Sequence, residues 1–380
     1  MVCRQFHPED GFDDLSEYKK DKRFKIIDVL YNETKGVCWA RNEIQNLYSG
    51  EEYTLHLDSH HRFVENWDAE LIKMVKDLQN EGYQKPLLTA YIPSYEPHND
   101  PQGRAQEPWQ MVFDRFIPEG AVFFKPEVVK DWKNRTLPVR GRFFSAHFCF
   151  TLGKFCKEVP HNPDYLFHGE EISIAARAYT WGYDIFHPHK VICWHEYSRN
   201  YRKQVWGDDP EWNKKNEKSH LINRKLFGMD GLKQEGHDGM YGFGKERSLR
   251  DYEKYAGMLF SNRSIQKYTL DNEYPPNPYI HDQELWKQSF SQIFKHCIDL
   301  PFNMVPELDY DFWVVAFHGD QDETIHRQDL NKQEISAILS DPDGYCKIWR
   351  EFQTSTLPKY WIVWPHSESK GWCERIKRDL

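Results

Sequence analysis

The stretch from Tyr53 to His60 constrains this chain more than any other. Strand-forming residues there end abruptly in a carboxylate, Asp58, and an imidazole, His60. Residues i and i+2 lie on one face of an extended chain, so both side chains can reach one point beyond the end of the strand. In open α/β sheets that point is where ligands bind, and an oxygen with a nitrogen ligand suits a divalent cation such as Mn²⁺. The sequence therefore predicts a metal–diphosphate site at this pair, although Asp and Ser also end strands in ordinary turns.

Composition argues against several classes of function. Of the 380 residues, 39% are apolar and 29% are charged, which is typical of a soluble globular protein. The formal net charge of −9 argues against a nucleic-acid binder, which ordinarily carries a basic face. No apolar run reaches the length of a membrane helix, and the N-terminus does not resemble a signal peptide. The eight cysteines form no CxxC pair, so we expect free thiols in a reducing, cytoplasmic compartment.

Strand and helix patterns alternate in the first part of the chain. They predict strands over 24–30, 53–58 and 87–92 and helices over 37–48 and 67–78. Strand–helix alternation of this kind implies a parallel, doubly wound α/β sheet. The elements expected farther along are strands over 121–124, 143–150, 183–187 and 191–195 and a helix over 171–181.

A proline-rich segment divides the chain. Residues 274–278 read Tyr-Pro-Pro-Asn-Pro, which cannot form regular structure. We therefore expect an α/β domain over 1–272, in which the polar residues 200–260 wrap around the sheet. We expect a small β-rich accessory domain over 279–380, where residues 312–317 and 360–364 are strand-like.

His195 is a third candidate ligand. It closes an apolar extended run, Val191–His195, and taken alone it reads as a core histidine. Together with Asp58 and His60 it could complete a three-ligand face. The remaining positions on the metal would then be open to phosphate oxygens or water, as a diphosphate-activating metal requires.

Two further segments carry candidate binding residues. Gly169, Glu170 and Glu171 precede a predicted helix, where one carboxylate would ordinarily compensate the helix dipole. Two adjacent carboxylates after a glycine could instead hold sugar or acceptor hydroxyls, because glycine allows close approach to the backbone. Arg41 lies near the start of another helix, where it could form a surface salt bridge or point to a nucleotide.

These segments together resemble a known family. They are similar to the polypeptide N-acetylglucosaminyltransferases that modify hydroxyproline on a cytoplasmic ubiquitin-ligase adaptor, and to their bacterial and viral relatives. The resemblance covers about residues 1–260, and mucin-type polypeptide GalNAc-transferases are more distantly similar. The matching segments are KGVCWAR (35–41), YSGEEYTLHLDSHHRFVENWD (48–68), FFSAHFCF (143–150), FHGEEISIAARAYTWGYDIFHP (167–188) and VICWHEYSR (191–199).

The resemblance implies a GT-A type fold, a UDP-sugar donor, a Mn²⁺ or Mg²⁺ ion and retention of anomeric configuration. The roles it implies for individual residues are metal binding by Asp58, His60 and His195, and sugar or acceptor contacts from Glu170 and Glu171. We also expect donor contacts from Arg41, Asp58 and Gly169. Relatives begin with a strand that would precede Val2–Phe6, so the resemblance also implies a missing central strand. His168 stands where relatives usually have an aromatic residue.

We therefore expect a transferase that moves GlcNAc from UDP-GlcNAc to a hydroxyl of a protein, on hydroxyproline or Ser/Thr, or of a glycan. Other readings stay open at this point. One is a truncated, non-catalytic protein that binds carbohydrate or nucleotide sugar. A second is a transferase that uses UDP-GalNAc. A third is a metal-dependent hydrolase that uses the same three ligands. The sequence contains no HExxH motif to supply the base that such a hydrolase needs.

Overall fold

The computed structural model describes residues 1–9, 14–198, 209–235, 239–340 and 344–380. The chain divides into two compact units. Unit 1 comprises Met1–Arg263 with Tyr268–Ile280, and unit 2 comprises Ser264–Lys267 with His281–Leu380. Within the described ranges, no helix has both the length and the apolar character needed to cross a membrane.

Unit 1 mixes strands and helices. Its strands are β1 (Val2–Phe6), β2 (Ile26–Leu30), β3 (Tyr53–Leu57), β4 (His61–Phe63), β5 (Pro86–Thr89), β6 (Trp109–Phe116), β7 (Val122–Val128), β8 (Val139–Arg140), β9 (Phe148–Leu152), β10 (Asp184–His187), β11 (Cys193–His195) and β12 (Met258–Leu259). Its helices are α1 (Ser16–Lys19), α2 (Val37–Asn46), α3 (Trp67–Asn80), α4 (Phe155–Glu158), α5 (Glu170–Thr180), α6 (Trp212–Phe227) and α7 (Leu249–Ala256), and α8 (Lys267–Leu270) contains residues of both units.

The central sheet of unit 1 is mixed, so the expectation of an all-parallel sheet is wrong. Its strand order is β3-β9-β5-β10-β8, and only β5 and β10 pair in parallel. Strand β9 lies between β3 and β5 and runs antiparallel to both. The chain between β5 and β9 contains the antiparallel β6–β7 hairpin and no crossover helix, so β9 returns against the direction of β5.

Strands β1 and β2 form a separate parallel pair, with Val2 opposite Ile26 and Phe6 opposite Leu30. Among the described residues, neither strand pairs with β3. Gln5 of β1 nevertheless helps to line a large cavity in unit 1.

Helix α3 shows how the predicted periodicity produces the core. Its buried residues recur at i, i+3, i+4 and i+7, which places them on one face of the helix. They pack with β5, β9, β10 and β11 in one cluster, and they are Leu71, Met74, Val75 and Leu78. The helix extends to Asn80, two residues beyond its predicted end.

The predicted strand over 143–150 begins only at Phe148. Residues 143–147 form an irregular segment that ends in a turn at Ala146 and His147. The backbone N–H of Ser145 donates to Oγ1 of Thr89 at 2.9 Å instead of entering a ladder. This local bonding turns the chain just before β9 and directs His147 into the interior.

The segment 200–260 contains α6 and α7, while residues 199–208 and 236–238 lie outside the described residues. Helix α7 packs near α5, where the rings of Tyr255 and Tyr179 lie 4.8 Å apart. The hydroxyl of Tyr252 donates to the carbonyl oxygen of Arg142 at 2.8 Å, which ties α7 to the segment before β9.

Unit 2 is rich in strands, which confirms the predicted β-rich C-terminal region. Its strands are β13 (Ser264–Gln266), β14 (Phe290–Pro301), β15 (Tyr310–His318), β16 (Thr324–Arg327), β17 (Leu330–Asn331), β18 (Tyr345–Thr354), β19 (Tyr360–Ser367), β20 (Gly371–Trp372) and β21 (Ile376–Asp379). Its helices are α9 (Gln283–Gln288) and α10 (Lys332–Leu339). Strand β14 pairs antiparallel with β13 and β18, and β15 pairs antiparallel with β16, β17 and β19. A core cluster that includes Trp313, Phe317 and Ile335 packs α10 onto these strands.

Buried histidines make the stability of unit 1 sensitive to acid. His187, the last residue of β10, is buried, and its Nδ1 lies 2.5 Å from the carbonyl oxygen of Thr89. Burial lowers the pKa of His187 to about 4, and burial also holds the pKa of His161 well below its usual range. In an unfolded chain such rings take up protons near about pH 6.5. Between that pH and about 4, the unfolded state therefore binds more protons, and stability falls as the pH falls.

We expect the free energy of unfolding, measured by urea titration, to fall between about pH 7.5 and about pH 5 by about 1 to 2 kcal/mol for each such histidine. His187→Asn keeps a donor near Thr89 but cannot take up a proton. The fall in its free energy of unfolding over this pH range should therefore be smaller than that of wild type by the contribution of one histidine. Only the pH dependence is compared, because the substitution also alters packing. The same pH dependence in both proteins would contradict this account.

Candidate metal and donor site

A cavity of about 880 Å³ in unit 1 contains every residue for which the sequence predicts a role in the site. Its polar lining includes the predicted carboxylates and imidazoles. Its aromatic lining includes Trp109, Phe123 and Phe124 of the β6–β7 hairpin. The predicted residues that line the cavity are Arg41, Asp58, His60, Gly169, Glu170, Glu171 and His195.

Backbone pairing brings His195 to Asp58 and His60. Strand β4 follows directly after His60 and pairs antiparallel with β11, which places His195 opposite His61. The N–H of Glu196 donates to the carbonyl oxygen of His60 at 3.1 Å. Residues more than 130 positions apart in the sequence therefore meet at the end of β3.

The three side chains form a cluster that fits a divalent cation. One ligand atom from each of Asp58, His60 and His195 lies within 4.8 Å of the other two. Oδ2 of Asp58 is 3.9 Å from Nε2 of His195, and the rings of His60 and His195 lie 4.4 Å apart. Both ring nitrogens of His195 are buried, and neither has a hydrogen-bond partner among the described residues. One carboxylate and two imidazoles are a donor set for Mn²⁺ and similar ions.

Arg41 is buried and bridges two carboxylates, so the surface salt bridge considered for it is wrong. Its Nη1 donates to Oε1 of Glu170 and its Nη2 donates to Oδ1 of Asp58, both at 2.8 Å. Burial by itself would lower the pKa of Arg41, but the two carboxylates hold it above its usual value. Arg41 thus occupies one oxygen of Asp58 and leaves Oδ2 directed at His195.

The charge state of Asp58 follows from these neighbours. Burial by itself would raise the pKa of Asp58, but the contact with His195 and the charge of Arg41 hold it well below its usual range. The carboxylate is therefore ionised at neutral pH, as a metal ligand must be.

Glu170 and Glu171 begin α5 but neither acts as an ordinary cap. Oε2 of Glu170 accepts a hydrogen bond from the buried thiol of Cys38 at 2.9 Å, and its other oxygen binds Arg41. Glu171 accepts from the backbone N–H of Ala146 at 2.9 Å and from the hydroxyl of Tyr91 at 3.1 Å. Burial raises the pKa of Glu171 to about 8 and also raises the pKa of Glu170. The protein holds both carboxyl groups in fixed positions at the cavity wall.

The backbone conformation at position 169 favours glycine. Its φ of +94° lies in the left-handed region, which favours glycine. A Cβ built there would lie 3.2 Å from Cγ of Asn223 and 3.2 Å from Cε1 of Tyr165. Close packing against these two side chains accounts for a glycine at this position, in addition to its place on the cavity wall.

Several cavity residues were missed by the sequence analysis. His147, Tyr91 and Tyr197 lie beside the predicted site residues, and further aromatic side chains that line the cavity are Trp109, Phe123, Phe124 and Phe167. His147 lies in a segment whose residue pattern predicts a continuous strand, so that pattern did not indicate the turn at Ala146 and His147. The hairpin residues carry no motif, and only the high aromatic content of 16% indicated that such a surface could exist.

Comparison with known proteins gives the family. A family model described as glycosyltransferase (GlcNAc) matches residues 9–262, which is more than half of the chain. The chain belongs to this glycosyltransferase family. The match confirms the GT-A type α/β fold that the sequence predicts, with the β-rich region following it.

No curated protein matches the chain. A solved structure described as GalNAc-T7 with UDP, GalNAc and Mn²⁺ is similar to it, with a TM-score of 0.43 and 15% sequence identity. The similarity covers 66% of this chain and 47% of the other, so the chain spans about half the length of that structure.

Removing the guanidinium between Asp58 and Glu170 should destabilise unit 1. Arg41→Ala leaves two carboxylates without their cation, and breaking a buried ion pair costs about 3 to 5 kcal/mol. Urea unfolding at neutral pH measures this loss. Adding Glu170→Gln to Arg41→Ala should recover part of it, because the buried uncompensated charge is then removed.

The matched control is Lys73→Ala, which removes an exposed partner of Asp77 on α3. Such surface pairs contribute about 0.5 kcal/mol or less. If Arg41→Ala were no more destabilising than Lys73→Ala, the structural role of the Arg41 bridge would be refuted.

Proposed function

We propose that this protein is a metal-dependent, retaining glycosyltransferase that moves GlcNAc from UDP-GlcNAc to a hydroxyl acceptor. The observation that carries the proposal is the convergence of Asp58, His60 and His195 within 4.8 Å in the lining of a large cavity. The family match and the resemblance of the DSH and HGEE segments support the same reaction class.

The charges of the cavity favour metal-dependent donor binding. The carboxyl groups of Asp58, Glu170 and Glu171 line the cavity, and the guanidinium of Arg41 is already bound to the first two. The pKa of Glu171, raised to about 8 by burial, leaves that group largely protonated at neutral pH, so the negative charge lies at Asp58 and Glu170. A diphosphate brought next to these two groups would meet like charge, which is strongly unfavourable at short range in a partly buried site. A cation held by Asp58, His60 and His195 would reverse that sign. We therefore expect UDP to bind only together with Mn²⁺ or Mg²⁺.

The ion would supply Lewis-acid stabilisation of the charge that develops on the departing diphosphate. The protein's own groups position the reactants. Arg41 holds the carboxylate of Asp58, while Glu170 and Glu171 are fixed where they can bind hydroxyl groups of the sugar or the acceptor. The acceptor oxygen forms a bond to the anomeric carbon as the bond from that carbon to the phosphate oxygen breaks. The acceptor proton passes to the departing phosphate, so the step needs no separate base.

The acceptor is proposed to bind against the aromatic side chains that line the cavity. The rings of Phe123 and His168 lie 5.1 Å apart, and Trp109 lies 6.3 Å from Tyr197, which itself packs against His195. Aromatic faces pack well against flat, apolar faces of other rings, which suits a hydroxyproline or the face of a sugar. A protein acceptor modified on hydroxyproline or Ser/Thr follows from the resemblance, with a glycan as the other possibility.

We also propose a cellular compartment for the protein and a role for unit 2. All eight cysteines are free, which supports a reducing compartment such as the cytoplasm. Unit 2 is proposed as the accessory domain, with residues 1–272 forming the transferase domain.

The direct test measures UDP release with Mn²⁺, an acceptor peptide that carries hydroxyproline, Ser and Thr, and, in parallel assays, either UDP-GlcNAc or UDP-GalNAc. Calorimetry measures UDP binding with and without Mn²⁺. Wild-type protein should release UDP faster with UDP-GlcNAc, and UDP should bind only when the metal is present. Asp58→Ala, His60→Ala and His195→Ala should each abolish both signals, because each removes one of three ligands.

His281→Ala is the histidine control, since this side chain is exposed and lies outside the site, and it should keep both signals. Wild-type rates in Asp58→Ala or His60→Ala would end the proposal. Metal-dependent UDP binding without turnover would instead support a non-catalytic nucleotide-sugar-binding protein, and faster release with UDP-GalNAc would reassign the donor.

A further inference from the structure

His195 differs from most metal-ligating histidines in how its ring is held. Such histidines ordinarily donate their second ring N–H to a carboxylate, carbonyl or water, which fixes the orientation of the ring. Neither ring nitrogen of His195 has a hydrogen-bond partner among the described residues. Among the described residues, packing against neighbouring rings is the main contact that can orient this ring.

Besides the proposed co-ligand His60, three rings lie against His195. His147 stacks on it with centroids 4.4 Å apart and an interplanar angle of 26°. Tyr197 meets it edge-on at 4.3 Å, and His61 lies tilted at 4.9 Å. Of these, His147 makes the parallel contact that opposes rotation of the His195 ring out of its plane.

His147 is itself fixed at both ring nitrogens. Its Nε2 accepts a hydrogen bond from the backbone N–H of Ile92 at 3.2 Å, and its Nδ1 lies 3.1 Å from Oγ of Ser145. The hydroxyl of Tyr197 lies 3.2 Å from the same Nε2 and donates to the carbonyl oxygen of Ile92 at 2.7 Å. Because both nitrogens are used, His147 is not placed to bind a cation, and it lies outside the ligand cluster.

The backbone that His147 anchors is also the backbone that holds His195. The N–H of His195 donates to the carbonyl oxygen of Pro93 at 2.9 Å, and the N–H of Tyr95 donates to the carbonyl oxygen of His195 at 3.2 Å. Ile92 directly precedes this paired segment. One side chain, His147, thus contacts both the ring of His195 and the extended segment whose backbone bonds to His195.

We propose that His147 is a positioning residue that holds His195 in the orientation needed for metal binding. This proposal rests on the proposed function, because it requires that His195 bind the cation. His147 would act through ring stacking and through its hydrogen bond to Ile92, and it would contact neither the metal nor the sugar. Loss of such supporting groups ordinarily weakens metal binding by about 10- to 100-fold.

The experiment measures the Kd for Mn²⁺ by electron paramagnetic resonance in the full chain, without any nucleotide. His147→Ala removes both the stack and the hydrogen bonds and should raise the Kd by about 10- to 100-fold. His147→Phe keeps a stacking ring and should fall between His147→Ala and wild type. In UDP-release assays, His147→Ala should regain most of its kcat at saturating Mn²⁺, whereas Asp58→Ala should not.

Val75→Ala serves as the control for general destabilisation, because Val75 is buried in α3 and outside the cavity. At comparable loss of unfolding free energy it should leave the Kd for Mn²⁺ unchanged. If wild type binds Mn²⁺ and both His147 variants bind it equally well, or if Val75→Ala weakens it as much as His147→Ala, the role of His147 is overturned while the transferase proposal stands. If wild type does not bind Mn²⁺ at all, the metal site and the role of His147 both fail.

Discussion

The antiparallel pairing of β4 with β11 is the constraint on which the site depends. Asp58 and His60 lie in the short connection between β3 and β4, and His195 is the last residue of β11. The register that sets His195 opposite His61 determines whether the two parts of the chain share a ligand cluster. In a β-ladder, a slip of one residue would turn His195 to the other face, so the register and the chemistry are fixed together.

The electrostatics of the cavity explain why a buried arginine lies beside the candidate metal ligands. Asp58 stays ionised in a partly buried position, and Glu170 is more deeply buried still. One guanidinium that binds both carboxyl groups offsets much of the cost of their burial. Arg41 binds Oδ1 of Asp58, and Oδ2 faces His195. In the proposed function, Oδ2 would bind the metal ion, and an anionic diphosphate would bind with that ion.

Local patterns in the sequence predicted many of the elements but not their arrangement. The spacing of Leu71, Met74, Val75 and Leu78 predicts α3 closely, because helix periodicity depends only on neighbours along the chain. Strand direction was predicted wrongly because β9 is placed by long-range pairing, which alternation of strands and helices does not reveal. Asp58 and His60 could be proposed from their i, i+2 spacing, and His195 only as a companion whose proximity the sequence alone could not establish.

The residues that support the ligands were beyond the reach of sequence reasoning. His147 looked like part of a strand, and its position follows from the bond between Ser145 and Thr89, which are 56 residues apart. Arg41 could be placed on a helix, but its two carboxylate partners come from different parts of the chain. Such contacts depend on the complete fold, in which distant segments meet.

The central claim is that one cation binds between Asp58, His60 and His195, and anomalous X-ray diffraction from crystals soaked in Mn²⁺ tests it most directly. The account predicts an anomalous peak within about 2.0 to 2.3 Å of a carboxylate oxygen of Asp58 and of one ring nitrogen each of His60 and His195. A peak elsewhere in the cavity, or none at these three side chains in the presence of Mn²⁺ and UDP, would contradict it.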